Sequence, residues 1–290
     1  MTPPFLSSPA ADSPGLSREA LWPARKPNEP ASGCDLSIVI PAYNEDRRLP
    51  GTLRRIQEYL KQYPGSWEII VVDDGSRDGT VASTRALQAE DGRIRILQNP
   101  GNQGKGYSVR HGMLKARGRL LLFSDADLAA PIEEWEKLNA ALQQGADIAI
   151  GSRSRRELIR THQSSFREWA GRVFNRLVIL VLGLRFRDTQ CGFKLFRREA
   201  ALAVFPFQRI CGWGFDPELL FLARQRHFQT VEVPVVWAHV PGAKIRMLRD
   251  SLRMFGDILT IRMNQLRGRY AHPAWQPEAA AADKIRPVSA

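Results

Sequence analysis

The 290-residue sequence has no stretch approaching the roughly 20 uninterrupted apolar residues that a bilayer-spanning helix requires. Its first 33 residues are rich in Pro, Ser and Ala and lack a basic region followed by an apolar one. They read as a flexible tail over 1–34 and not as a secretory leader. Pro273 to Ala290 has the same character, and a second tail is expected over 271–290. The only cysteines, Cys34, Cys191 and Cys211, are too few and too scattered for a disulfide framework or a cysteine zinc site. A reducing compartment follows as the simpler expectation, either the cytoplasm or the cytoplasmic face of a membrane. The five histidines show no metal-ligand spacing. Gly101-Asn102-Gln103-Gly104-Lys105-Gly106 is no Walker loop, because Gly106 stands where Ser or Thr is needed. No G-x-G-x-x-G opens the first turn, and no G-x-S-x-G elbow occurs.

Acidic residues are also in deficit, with 30 Asp and Glu against 42 Lys and Arg, a formal charge of +12. Such a balance suits a phosphate-bearing partner, an anionic membrane surface or nucleic acid. No zinc-finger, K-homology or RNP-like pattern accompanies it, so nucleic acid is not expected as a partner. The excess is uneven: residues 151–200 hold twelve Lys and Arg against four acids, and residues 240–270 hold seven against two. A composition of 43% apolar and 25% charged residues belongs to a globular chain and excludes global disorder, collagen-like repetition and a bundle of membrane spans. The strongest apolar run, Leu177 to Leu184, is flanked by Arg172, Arg176, Arg185 and Arg187. It suits either a core helix or an interfacial helix lying under lipid headgroups.

From Leu36 to about residue 150 short apolar strands alternate with amphipathic helices. Strands are expected at 36–40, 67–72, 93–97, 119–123 and 147–150, and helices at 49–63, 80–90, 104–116 and 133–144. That alternation requires a mostly parallel sheet covered by helices on both faces, an α/β fold. Beyond residue 150 the rhythm changes. Arg153 to Ser165 reads as a mobile basic loop, and helices are expected at 166–182 and 215–226. Strands are expected from the turn at 188–196 and over 230–236, with a basic helical segment at 241–270. Ligands of such sheets gather beyond the carboxyl ends of the strands. Those ends carry Asn44 and Glu45, Asp73 and Asp74, Asn99, and Asp125 and Asp127.

Asp125-Ala126-Asp127 can share a divalent cation of the hard kind, Mg²⁺ or Mn²⁺, or divide a cation and a ribose between them; a solvated turn is the alternative. Asp73 and Asp74 can accept hydrogen bonds from a base or ribose, or belong to an ordinary strand-to-helix turn. Lys105, at the amino end of a helix, can approach a diphosphate.

Taken together, VIPAYNE (39–45), VVDDGSRDGT (71–80), NQGKGYSVRHGM (102–113), FSDADLAAP (123–131), GSR (151–153), RDTQCGFKLF (187–196), GWGFDPELLFLA (212–223), VEVPVVW (231–237) and PGAKIR (241–246) resemble the family 2 glycosyltransferases of GT-A fold. The resemblance is strongest to their dolichyl-phosphate beta-glucosyltransferase branch. It covers about residues 35–265 and implies a GT-A catalytic domain over 35–240. By matching position it implies that Pro41, Tyr43, Glu45, Asp73, Asp125 and Asp127 hold the donor, joined by Asp74 and Lys105 from the strand-end and helix-end readings above, with Asp125 and Asp127 also the metal ligands. Asp188, Gln190, Asp216 and Glu218 would be catalytic, and Lys244 and Arg246 resemble the late basic pair that holds phosphate; Arg153, Arg155 and Arg160 join them as acceptor-phosphate candidates because the basic surplus after residue 150 suits such an acceptor. Ala129 stands where mannosyl relatives often carry a metal-binding Gln, which favours glucose.

The implied reaction is inverting transfer of glucose from UDP-glucose to a polyprenyl or dolichyl phosphate. It calls for Mg²⁺ or Mn²⁺ and peripheral contact with an anionic membrane. Mannose transfer, a soluble hydroxyl acceptor and a non-catalytic nucleotide-binding module remain alternatives at this point.

Overall fold

A computed structural model describes residues 33–161, 165–240 and 247–271. Apart from Gly33, Cys34 and Ala271, the two expected tails lie outside the described residues, as do Lys244 and Arg246.

The first half alternates as its sequence requires: β1 (Leu36–Ala42), α1 (Leu49–Leu60), β2 (Trp67–Asp73), α2 (Thr80–Glu90), β3 (Ile94–Gln98), α3 (Lys105–Lys115), β4 (Leu120–Ser124), α4 (Trp135–Gln143) and β5 (Ile148–Ser152). The second half contains β6 (Ile159–Thr161), α5 (Ser165–Leu182), β7 (Phe193–Arg197), α6 (Arg198–Val204), α7 (Phe215–Gln225), β8 (Thr230–Pro234), β9 (Trp237–Ala238) and α8 (Met247–Leu266). Seven strands form one sheet in the order β3-β2-β1-β4-β7-β5-β8, in which β7 alone runs antiparallel to its neighbours.

Alternate residues of the strands face two cores. Leu36, Ile38 and Ile40 of β1 pack with Leu49, Leu53 and Ile56 of α1 and with Trp135 and Leu138 of α4. Val39, Ile70, Val72, Leu121 and Phe123 face the opposite layer, built from α3, α5, α7 and α8. Strands covered on both faces must be apolar at nearly every position, which explains the continuous runs in their sequences.

The topology reverses between β1 and β4. Their ladder ends at Val39 with Phe123, and from Ile40 to Ala42 only β2 pairs with β1. Pro41, which has no N–H to give, is tolerated in this stretch. The parting strands leave a crevice beyond their carboxyl ends, the place where α/β sheets bind ligands.

The segment read as a mobile loop over 153–165 is ordered over its described part. Arg156–Leu158 forms a 3-10 turn, and β6 pairs in parallel with β9. Three residues carry no periodic signal, and only a strand nearly 80 positions away makes this one. The strand expected over 230–236 ends at Pro234, and α6 was not foreseen.

Candidate active site

Four strand ends and the amino ends of α3 and α7 converge on the crevice. Past β1, Asn44 adopts a left-handed conformation (φ 52°). Its N–H donates to Ser76 Oγ, and its Oδ1 accepts from the N–H of Arg77, both at 2.8 Å. The loops after β1 and β2 are thereby zipped together around Tyr43 and Asp73. The Asp73 carboxylate turns back to accept the N–H groups of Gly75 and Ser76. Glu45 does not reach into the crevice unengaged: its carboxylate receives a two-pronged contact from Arg48 at 2.8 and 2.9 Å.

Asp74 is consumed by the fold. Its Oδ1 accepts from Asn99 and from the N–H of Gln103, and its Oδ2 from the N–H of Gly104. This fixes the turn that launches α3. Gly104 (φ 101°) has no room for a side chain, since a Cβ there would meet the carbonyl oxygen of Cys211 at 2.5 Å. Asp74 thus acts through the residue that follows, Lys105. The Lys105 ammonium lies 2.6 Å from Asp125 Oδ1 and over the ring of Trp213, 4.9 Å from its centroid. Burial works against its charge, but Asp125, Asp216 and Asp127 outweigh that and raise its pKa.

Asp125 leaves β4 and lies across Gly192, whose missing side chain makes space for the carboxylate. Burial raises the pKa of Asp127, and the neighbouring charge of Asp125 adds to the effect, while Oδ1 accepts the N–H of Ala129 at 3.0 Å. Two crowded carboxylates whose ionised forms repel each other are a donor set that a hard divalent cation relieves. Among the described residues no group of three or more His, Cys, Asp or Glu converges as a metal cage. Among the described residues the candidate donor set is this pair, and one or two carboxylates are usual where Mg²⁺ is completed by phosphate and water.

Asp216, in the first turn of α7, accepts from Lys194 Nζ at 2.6 Å; Lys194 is wholly buried and also donates to the Cys191 carbonyl. Burial nevertheless leaves the Asp216 pKa raised. Lys194 escaped sequence reasoning, although its signal was present. A lysine in the apolar strand FKLF must have a partner, because an unpaired charge there is too costly.

Asp188 and Glu218 do not have the free carboxylates expected of bases. Arg153 grips Asp188 through Nε and Nη2 at 2.7 and 2.8 Å, and its backbone N–H and that of Gln190 add to the set. Burial favours the neutral acid, but Arg153 outweighs it and holds the Asp188 pKa at about 2. Arg153, expected at the acceptor phosphate, thus spends its fork on Asp188 while lying over the Trp237 ring. Glu218 is completely buried and accepts from Tyr270 Oη and from the N–H groups of Arg209 and Ile210. These bonds tie Tyr270, beyond the end of α8, and the 209–210 loop to α7. The side chain of Gln190 approaches Met254 Sδ at 3.9 Å, and Arg155 and Arg160 are exposed.

The model of the family described as "Glycosyl transferase family 2" matches residues 37–205, which include β1, β2, β4 and both crevice aspartates. A dolichyl-phosphate beta-glucosyltransferase of Drosophila melanogaster is 40% identical over 257 residues, covering 83% of this chain and 78% of its own. The Homo sapiens protein of the same name is 37% identical over 257 residues, covering 84% and 78%. Among solved structures, the fold resembles glucosyl-3-phosphoglycerate synthase from Mycobacterium tuberculosis. Its complex with Mn²⁺, UDP and glucosyl-3-phosphoglycerate superposes with a TM-score of 0.60 at 21% identity, over 83% of this chain and 81% of that one. The fold is the expected GT-A arrangement, a mixed and mostly parallel sheet with helices on both faces. With its motifs in order along that fold, the chain belongs to glycosyl transferase family 2.

Proposed function

We propose that this protein transfers glucose from UDP-glucose to a dolichyl or related polyprenyl phosphate, with inversion, giving a beta-linked lipid phosphosugar. The names of relatives at 37–40% identity support the sugar and the acceptor class. The observation that carries the reading is the crevice between β1 and β4, where Asp125, Asp127 and Lys105 meet. Pro41, Tyr43 and Asp73 line the nucleotide end in this reading. Lys105 faces the diphosphate, and Asp125 and Asp127 hold Mg²⁺ or Mn²⁺. When bound, such a cation neutralises charge that develops on the leaving diphosphate.

An acceptor oxygen attacks the anomeric carbon as the bond from that carbon to the diphosphate oxygen breaks, and the electron pair leaves with UDP. An alpha-linked donor gives a beta-linked product. A phosphate monoester has its second pKa at about 6 and is largely dianionic at neutral pH, so it needs little help from a base. The fates of the carboxylates agree with this: Asp188 is held by Arg153 and Asp216 by Lys194. What a dianion does need is positive charge against donor repulsion. Arg155 and Arg160, and Lys244 and Arg246 outside the described residues, are assigned to that task.

Peripheral membrane contact, at a cytoplasmic face, completes the reading. No helix among the described residues is long and apolar enough to cross a membrane. Of the seven large apolar side chains exposed among the described residues, six lie on α5 or α8: Ile179, Leu180, Phe255, Leu259, Met263 and Leu266. On α8 they recur at helical spacing on the face opposite buried Ile258 and Ile261. An outward face of this kind suits an interfacial helix. The same helix touches the site, because Asp257 accepts the N–H of Gly214, next to Trp213.

The test is a matched transfer assay with Mg²⁺ or Mn²⁺, a polyprenyl phosphate in detergent, and UDP-glucose or GDP-mannose. An organic-extractable glucose product dependent on the phosphorylated lipid is expected. Mannose transfer would overturn the donor assignment, and nucleotide binding without any lipid product would overturn the acceptor.

A further inference from the structure

Away from the crevice, α3, the 205–209 turn and the segment after α8 enclose an open cleft of about 450 Å³, lined by Arg110, Arg209 and Arg269 together with Phe207 and Gln208. Among the described residues no carboxylate lines it. Arg209 donates through Nε and Nη2 to the carbonyl of Arg269, and Arg269 Nη1 donates to Asn264 Oδ1 at 3.2 Å. Both guanidinium groups are therefore oriented by neutral acceptors, which leaves their charge uncancelled. Arg110 makes no hydrogen bond or ion pair with the described residues. Behind Phe207 lies a fourth arginine, Arg226, stacked 4.1 Å from the ring centroid and only 4% exposed. Its Nη2 reaches the Tyr270 carbonyl, and its buried Nε has no partner. Burial depresses its pKa, with no carboxylate to offset the effect. The closest carboxylate along this wall, Glu218, is turned inward onto Tyr270 and two backbone N–H groups.

Three guanidinium groups lining one cleft, with no carboxylate among its described lining, form a locally positive surface that favours an anion. Guanidinium groups are suited to phosphate in particular, because their forked donors match its oxygens. A cleft of this volume admits a phosphorylated small molecule or a lipid headgroup. The outward apolar stripe of α8 ends at Leu266, three residues before Arg269, so the cleft opens where that stripe stops.

We propose that the cleft between α3, Phe207 and Arg269 is a second, non-catalytic anion site that binds a phosphate group through Arg110, Arg209 and Arg269. Its ligand is either a soluble phosphorylated compound or the headgroup of an anionic phospholipid. The site is independent of which sugar or acceptor the transferase uses.

The test uses the full chain with UDP and Mg²⁺ at saturation, so that the crevice is filled. Inorganic phosphate is titrated by calorimetry, and binding to phosphatidylcholine vesicles with and without phosphatidylglycerol is measured by flotation. Arg110→Gln, on the half-buried side of a helix and with no hydrogen bond or ion pair to lose among the described residues, is the primary variant, and Arg269→Gln is the second. Phosphate binding that persists beside UDP and weakens about tenfold in Arg110→Gln supports the site with a soluble ligand. If phosphate binds too weakly to measure but the phosphatidylglycerol-dependent part of flotation drops in both variants, the ligand is a headgroup. If neither probe responds to either variant, the proposal is overturned. Leu259→Asp, which alters only the apolar face, separates the two ideas: loss of flotation with phosphate binding intact leaves the anion site standing.

Discussion

The ammonium of Lys105 sits 2.6 Å from Oδ1 of Asp125, one of the two carboxylates that a divalent cation would have to use. Lysine and cation compete for the same oxygen, and the arrival of a diphosphate gives the lysine another anion to hold. Metal and nucleotide should therefore bind with positive coupling. Lys105→Met is expected to tighten Mn²⁺ binding to the nucleotide-free protein by about tenfold, because it leaves Asp125 without its counter-charge. The same change should weaken UDP binding. Mn²⁺ resonance titrations with and without UDP measure both, and unchanged metal affinity would remove Lys105 from this role.

Asp127→Asn should nearly abolish transfer while leaving the protein at least as stable as the parent. The folded-state pKa of Asp127 is raised, first by burial and then by Asp125. A raised carboxylate pKa means that the folded state holds the proton more tightly than the unfolded state does. Stability is then lost as pH rises from the unfolded pKa through the folded one. Removing the charge removes that loss. Thermal unfolding at pH 7 beside a transfer assay tests the pair of outcomes, and near-normal turnover in excess metal would refute the assignment.

The Arg153–Asp188 pair has the opposite pH signature. The Asp188 pKa is held at about 2 in the folded protein. Its contribution, on the order of 2 kcal/mol, is fully present above the unfolded value near 4 and disappears as pH falls through the folded one. Asp188→Asn should flatten the acid limb of a denaturant-midpoint profile between about pH 4 and pH 2. A profile identical to the parent's would show that the pair adds nothing to stability.

Tyr270→Phe tests the structural reading of Glu218. The hydroxyl lies 2.6 Å from the buried carboxylate, and its loss should cost about 2 kcal/mol. The variant should keep its kcat if Glu218 takes no part in chemistry. A large fall in kcat at unchanged stability would restore Glu218 to the catalytic set.

Much of the architecture was legible. Buried parallel strands such as WEIIVV must be apolar on both faces, and the acidic turns after them stand out against such runs. The helix over 80–90 was read to the residue, set off by the acidic glycine-bearing turn before it and Asp91-Gly92 after it. The antiparallel course of β7 and the pairing of β6 with β9 were not legible, since both depend on neighbours brought from elsewhere. The same holds for the outward apolar face of α8, which could be recognised as outward only after Ile258 and Ile261 were found buried.

That carboxylates crowd the strand ends of an α/β sheet, and that positive charge collects in the second half, could be read along the chain. Both follow from the periods and residue types of short segments. Which partner each of those charges meets depends on the folded arrangement. Asp74 is taken up by Gln103 and Gly104, Asp188 by Arg153, and Glu218 by a tyrosine 52 positions away, whereas Asp125, Asp127 and Lys105 meet at the crevice. The reason is that a carboxylate's role depends on its partners and its burial, and these are supplied by residues that are remote in the chain and adjacent only in the fold.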